Sequence, residues 1–328
     1  MRVVSLLPSA TEIVCSLGVR ARGFLVGRSH ECDFPAGLGA VPVFTEAAIR
    51  PDQTPAAIDA AVRESSASGT SLYRLDTRTL ASLRPDLIIT QDLCHVCSID
   101  VEAVRAVAAE MSPSPRVLSL NPASVEGVLD DILTVGEAVG LAGEAVGVVA
   151  GLRERLFRAA DYVNPYADGP SLAFLEWTDP LFVGGHWTPQ LIERAGARHP
   201  LNPTVPRPGT GMAVGPQQGE RVAGPSRRVS VEELVASRPE AVVICPCGVT
   251  LEHARAMAEE LTKQTWWREL PAVKESGAAG RVAIVDGNQM FNRPGPRLVD
   301  AFEWLVGWLQ GRPEIMPEAF PAWEWRYV

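Results

Sequence analysis

Leu83-Arg84-Pro85-Asp86-Leu87-Ile88-Ile89-Thr90 decides the fold, because its pattern returns as Arg238-Pro239-Glu240-Ala241-Val242-Val243-Ile244. In each copy a proline stops whatever helix precedes it, an acidic residue follows, and a short apolar run begins. Apolar runs of this length, bounded by proline and followed by polar residues, read as buried strands of a parallel sheet. Two such strands, each entered through the same Arg-Pro-acid step, indicate two α/β lobes built on one grammar.

Working outward from the first copy, Val3–Leu7 reads as a strand and Ser9-Ala10-Thr11-Glu12 opens a helix that stops at Gly18. Gly23–Val26 is a second short strand. Residues 36–70, rich in Pro, Ala and Ser, read as loop with one or two short helices, and a helix near Ile99–Met111 leads to a strand at Arg116–Leu120. Around the second copy, strand Ser171–Leu175 precedes a helix opened by Thr188-Pro189, Ser230–Ser237 is a short helix, Arg281–Val285 the last strand and Arg297–Leu309 the last helix. The Pro-, Gly- and Arg-rich segment 200–228 reads as a surface loop. Trp323, Trp325 and Tyr327 mark a tail, 311–328, packed across the surface of a lobe.

Between the lobes lies the longest helical pattern, from Ser124 as N-cap to about Val163, with Val125, Val128, Leu129, Ile132, Val135, Val139, Leu152 and Leu156 at threes and fours. A helix of this length would span ~60 Å, too long for a crossover within one small sheet. It reads as a spine joining lobes at 1–122 and 166–310. Five glycines from Gly136 to Gly151 leave room for a bend or short break.

The chain has 328 residues and a formal net charge of −9. That balance argues against nucleic acid, which would need a basic face. No run approaches the roughly 18 apolar residues of a membrane helix. No export signal precedes the first strand, so the expectation is a cytoplasmic protein, periplasmic or extracellular only if the chain was trimmed. Six cysteines in a reducing compartment read as thiols or metal ligands, with Cys15 a small buried apolar group.

Eight of the cysteines and histidines fall in short clusters near expected strand ends, where an open parallel sheet holds its ligands. His30 and Cys32 flank Glu31. Cys94, His95 and Cys97 follow the Asp86–Thr90 strand, and a C-x-x-C holding a histidine suits zinc, iron, cobalt or copper. Glu176 and Trp177 with His186 and Trp187 bracket a loop. Trp offers a flat face to a planar ligand and neutral His186 an axial donor to cobalt or iron; the competing reading has both Trp residues sealing the lobe. Cys245 and Cys247 flank Pro246, which stiffens the bite, so one of the two would face the ligand. Asn288 and Phe291 follow the last strand and would close the rim. The metal-ligating candidates are thus Cys32, Cys94, His95, Cys97, His186 and Cys245. A structural zinc on Cys94, Cys97, Cys245 and Cys247, and a cysteine nucleophile served by His30, His95 or His186, are the rival uses.

Together these residues resemble the class III periplasmic binding proteins, the helical-backbone metal receptors, and most nearly their cobalamin-binding branch. The marks are Arg2-Val3-Val4-Ser5-Leu6-Leu7-Pro8-Ser9-Ala10-Thr11-Glu12, the paired Arg-Pro-acid strands and the helix between lobes. The resemblance implies two Rossmann-like α/β lobes with mainly parallel sheets, one long backbone helix and a ligand cleft between the lobes. It implies a non-catalytic protein binding a corrinoid such as cobalamin, or a related metal-bearing ligand, and an ABC-type permease as partner of exported members. It also places Tyr73 where the cobalamin-binding relatives carry an aromatic. Direct binding of a transition-metal ion is the alternative.

Overall fold

A computed structural model describes residues 1–48, 53–68, 71–92, 101–209, 215, 221–274 and 281–325. The chain divides into two compact units, the first made of Met1–Pro122 with Gly127–Gly151, the second of Ala123–Glu126 with Leu152–Val328.

The first unit runs β1 (Val3–Ser5), α1 (Pro8–Ser16), α2 (Val19–Arg22), β2 (Leu25–Arg28), β3 (Thr45–Ala47), α3 (Pro55–Ser68), β4 (Tyr73–Leu75), α4 (Thr77–Ser82), β5 (Leu87–Thr90), α5 (Val101–Ala109) and β6 (Arg116–Ser119). Four strands form a parallel sheet in the order β2-β1-β5-β6, and β3 and β4 make a separate antiparallel pair. The buried residues Val3, Val4, Ile88 and Ile89 on the sheet, with Ile13 and Val14 on α1, supply its core. The 36–70 stretch thus holds a strand and a fourteen-residue helix, more order than its weak periodicity suggests.

The expected single spine is two helices, α6 (Val125–Ala138) and α7 (Ala142–Ala160). Gly140 has φ +71°, its N–H donates to Glu137 O, and the N–H of Leu141 donates to Gly136 O at 2.7 Å. This is a Schellman ending: a left-handed residue after the helix lets two N–H groups turn back onto its last carbonyls, and apolar Leu141 is buried against it. Gly136 completes the turn, since a Cβ there would stand 2.3 Å from that of Ala145.

The second unit continues with β7 (Leu172–Thr178), β8 (Leu181–Val183), α8 (Thr188–Arg194), β9 (Val205–Pro206), β10 (Arg221–Val222), β11 (Arg227–Arg228), α9 (Val231–Ala236), β12 (Ala241–Ile244), α10 (Leu251–Thr262), α11 (Pro271–Lys274), β13 (Val282–Val285), α12 (Leu298–Gln310) and β14 (Ala322–Glu324). Its six-stranded sheet has the order β11-β8-β7-β12-β13-β14, parallel at β7-β12-β13 and antiparallel outside. The tail joins this sheet as an edge strand, with Trp323 opposite Ile284. The end of segment 200–228 is tied down too, because Arg227–Arg228 forms β11 against β8.

The repeated Arg-Pro-acid step builds the same corner twice. Arg84 and Arg238 close α4 and α9 with φ of +42° and +46°. The N–H of Asp86 donates to Arg2 O, and the Asp86 carboxylate accepts the N–H of Arg2 at 2.7 Å. Likewise the N–H of Glu240 donates to Ser171 O, and the Glu240 carboxylate accepts the N–H of Ser171 at 2.9 Å. Each acid therefore fixes where the first strand of its own unit begins.

Candidate functional site

In the first unit the carboxyl edge is set by the turn after β2. The His30 backbone N–H donates to Thr45 Oγ1 at 3.0 Å, and its Nδ1 lies 2.8 Å from the same oxygen. The Tyr73 hydroxyl donates to Glu31 at 3.2 Å, and its ring sits 5.7 Å from the His30 imidazole. β3 and β4, which carry Thr45 and Tyr73, pair with each other, so the hairpin holds this half-buried group together. Cys32 is placed differently. It is 1% exposed, with its sulfur 3.0 Å from Thr11 Oγ1 and 3.6 Å from Ser29 Oγ, and Thr11 in turn reaches Ser5 at 2.8 Å. The thiol lies inside the unit among hydroxyls and offers no outward donor. Cys15 is half-buried, and burial pushes its thiol up to about 11.

Cys94, His95 and Cys97 lie outside the described residues.

In the second unit the edge is shaped by a bulge. Pairing between β7 and β8 shifts register between Leu175 and Trp177, and Glu176 is the extra residue. A bulge re-aims the side chain that it displaces. Glu176 accepts a hydrogen bond from the Ser226 hydroxyl, while its backbone carbonyl takes the N–H of Cys247 at 3.1 Å. His186 adopts φ +54°, and its N–H donates to Gly224 O at 2.9 Å. Gly185 lets segment 224–226 come this close, for a Cβ would stand 2.1 Å from the Ser226 nitrogen. The His186 imidazole stacks on Trp187, 5.7 Å between centroids, and burial pulls its pKa below the usual imidazole value. It is therefore neutral at pH 7, with a ring nitrogen able to ligate a metal. Trp177, Cys247 and Asn288 are half-buried on the same edge; the Trp177 indole N–H donates to Asp179 O, and the Asn288 N–H to Val249 O.

Three residues expected at this edge are interior. Trp187 is 6% exposed and donates its indole N–H to Phe291 O at 2.6 Å, so it seals the unit. Phe291, expected at the rim, is 1% exposed, edge-on to Phe174 at 5.0 Å and to Trp304 at 6.1 Å. Its φ of +60° turns the ring inward between sheet and α12. Cys245 is fully buried, its sulfur beside Met290 O at 3.6 Å and Asn292 Nδ2 at 3.7 Å. Burial, with Glu176 and Asp286 nearby, drives that thiol well above its usual range, so it furnishes neither thiolate ligand nor nucleophile.

The expected metal set is not assembled among the described residues, where no three His, Cys, Asp or Glu side chains gather to hold an ion. Cys32 and Cys245 are each spent within their own unit, which removes Cys245 from the structural-zinc quartet as well. Sequence reasoning misses Ser226 and Gly224. Their signal is the Gly-Pro-Ser step before Arg227-Arg228, where a loop rejoins a sheet.

No helix among the described residues is long and apolar enough to cross a membrane. No curated protein sequence matches the chain. Among solved structures, a periplasmic heme binding protein from Pseudomonas aeruginosa shares 21% identity and a TM-score of 0.65, covering 100% of this chain and 99% of that one. The periplasmic vitamin B12 binding protein BtuF of Vibrio cholerae follows at 19% identity and 0.63, over 95% of this chain and 98% of its own. A possible iron-binding, periplasmic solute-binding protein from Staphylococcus epidermidis matches at 18% and 0.62, over 94% and 97%. At these identities the likeness is one of fold, an α/β architecture built from two units with mainly parallel central strands. The sequence model of a family described as "Periplasmic binding protein" matches residues 3–277. Its members are periplasmic, which overturns the expectation of a cytoplasmic protein. With most of its length matched, this chain belongs to the periplasmic binding protein family, a family of non-enzymatic solute carriers.

Proposed function

We propose that this protein binds a metal-bearing tetrapyrrole, a corrinoid or a haem, and hands it to an ABC-type permease. The observation that carries the reading is His186. Its imidazole is neutral by burial, backed by the Trp187 face, held by its backbone in a left-handed turn, and half-exposed at the carboxyl edge of the second sheet. A neutral imidazole beside aromatic surface suits the axial position of a cobalt or iron macrocycle. Trp177 adds a second aromatic face, and Glu176 and Asn288 add polar groups for the ligand periphery. His30 and Tyr73 are the corresponding half-buried pair on the first sheet's edge. Similar solved structures carry names that describe binding of heme and of vitamin B12, which supports the ligand class and leaves the choice within it to experiment.

The test is absorbance titration with aquocobalamin and, separately, with haemin. One of them is expected to bind saturably, with a spectral shift that His186→Ala abolishes or moves. Absence of binding by both at high micromolar ligand overturns the reading. A shift that survives His186→Ala removes the axial role.

A further inference from the structure

The loop that presents His186 lies flat against segment 224–226, and the two are joined at more than one point. The His186 N–H donates to Gly224 O at 2.9 Å. Gly185 leaves no room for a side chain between them, since a Cβ there would stand 2.2 Å from the Pro225 carbonyl carbon. A third contact comes from Asn202, 9% exposed. Its Nδ2 donates to Gly184 O at 3.1 Å and to Pro225 O at 3.1 Å. Both partners are carbonyl oxygens, so the end of the amide that faces them is the NH2 group, with one hydrogen for each segment.

An asparagine in a turn ordinarily bends its side chain back onto the backbone a residue or two away. This one reaches positions 18 and 23 residues distant. Its own place is fixed from the sheet. The Asn202 N–H donates to His199 O at 3.2 Å, and the carbonyl of neighbouring Leu201 accepts a bond from Arg227 Nε at 2.6 Å. Arg227 belongs to β11 and lies opposite Val183 of β8, while His199 Nδ1 is 2.9 Å from Leu172 O on β7. The pin is rooted in the strands whose edge it serves, as a precisely held ligand group requires.

What it holds is strained. His186 has φ +54°, a conformation that a non-glycine residue keeps only where its surroundings impose it. The bond to Gly224 imposes it, provided that segment 224–226 stays in place. The Ser226 hydroxyl ties one end of that segment to Glu176, and Asn202 ties its middle to the residue just before Gly185 and His186. We infer that Asn202 is a positioning residue for His186, pinning Pro225 to Gly184 so that the imidazole is presented in one orientation to a metal-bearing ligand. This rests on the axial role proposed above for His186.

The test joins hydrogen exchange of the His186 amide in the ligand-free protein to absorbance titration with aquocobalamin and with haemin. Asn202→Asp keeps the shape of the side chain and replaces its donors by acceptors. Asn202→Ser keeps one donor and serves if Asn202→Asp does not fold. In each variant the His186 amide is expected to exchange about tenfold faster, because bonds that close its loop are lost. Whichever probe the wild type binds is expected to bind about tenfold weaker, as for other groups that support a metal ligand, and with a smaller spectral shift. In a His186→Ala background the same substitutions are expected to cost no further affinity, whereas a merely structural role would add its loss to that of His186→Ala. Additive losses overturn the inference, as does unchanged exchange at His186, or faster exchange with affinity unaltered. If neither probe binds the wild type, or His186→Ala binds as well as wild type, the axial reading of His186 fails. Exchange in the ligand-free protein then decides by itself whether Asn202 holds that residue.

Discussion

The two units enter their sheets by the same corner and leave them by different edges. At the amino edge, Arg84-Pro85-Asp86 and Arg238-Pro239-Glu240 repeat one another down to the backbone N–H that each acid accepts. At the carboxyl edge the likeness ends. In the first unit β1 runs directly into α1, and the His30 group is held by a separate hairpin. In the second, β7 bulges at Glu176, reverses into β8 and reaches α8 only at Thr188, which places His186 at the edge with Trp187 sealed behind it. Corners fix the start of strands and serve folding, so duplicated units keep them. Edges carry the residues proposed to meet the ligand, and each unit builds its own.

The comparison breaks most sharply on the aromatic residues. Trp187 is sealed inside its unit with its indole N–H satisfied, whereas Tyr73 stands half-buried on the other edge. Trp187→Ala is expected to cost about 3–5 kcal/mol in urea unfolding, as for other buried large-to-small changes. Tyr73→Ala should cost about 1 kcal/mol or less while weakening ligand binding. Equal losses of stability would mean that the first edge is as much core as the second.

Helices α6 and α7 test a related contrast, between a glycine required by packing and one required by conformation. Gly136→Ala forces a methyl onto Ala145, where 2.3 Å separates the carbons, and is expected to cost about 2 kcal/mol. Gly140→Ala meets no neighbour but must hold φ +71°, which costs about 1 kcal/mol. If Gly140→Ala proves the more damaging of the two, the Schellman turn rather than the close approach holds α6 to α7.

The corners were legible because proline, acid and apolar run each say the same thing locally. The break at Gly140 was written in Val139-Gly140-Leu141, yet four other glycines on the same stretch obscured which one ends a helix. Only the left-handed turn, closed by bonds from residues 140 and 141, singles it out. Strand-end placement drew attention to Glu176, Trp177 and His186. It misjudged Cys32, Cys245 and Phe291, because alternation along a strand loses its parity once the strand ends or bulges. Ser226 stayed hidden because segment 200–228, rich in proline and glycine, has no periodicity to announce its return to the sheet.

The units also respond to pH in opposite senses. Asp131 on α6 has a buried carboxylate oxygen without a partner, and burial, with Asp130 adjacent, raises its pKa to about 7. Its folded value exceeds its unfolded one, so its contribution is intact below about pH 4 and is lost as pH rises through 7. His186 has a folded pKa below its unfolded one, so stability falls as pH drops below about 6.5. Asp131→Asn should therefore stabilise the protein at pH 8, on the order of 1–2 kcal/mol after allowing for its partial exposure, and leave pH 4 unchanged. His186→Gln should reduce the acid-side loss alone and not abolish it, because burial also holds the pKa of His199 down. Urea midpoints at pH 4, 6 and 8 check both, and an Asp131→Asn variant no more stable than wild type at pH 8 would show that the carboxyl is hydrated after all.

The smallest effect probes the likeness itself. Asp86→Ala and Glu240→Ala each remove a charged acceptor from one backbone N–H, at corners that are largely exposed to water. Each is expected to cost about 1 kcal/mol, the typical net value of a hydrogen bond, since exposure to water takes away the extra strength of a charged acceptor. The two need not be equal, since Glu240 is also 3.8 Å from Arg198 while Asp86, among the described residues, binds the start of β1 and no cation side chain. Adding salt should therefore shrink the Glu240→Ala loss more than the Asp86→Ala loss, because an exposed ion pair is screened and a short bond to a backbone N–H is screened less. Identical salt dependence would reduce the Arg198 contact to proximity and make the two corners equivalent in energy as well as in shape.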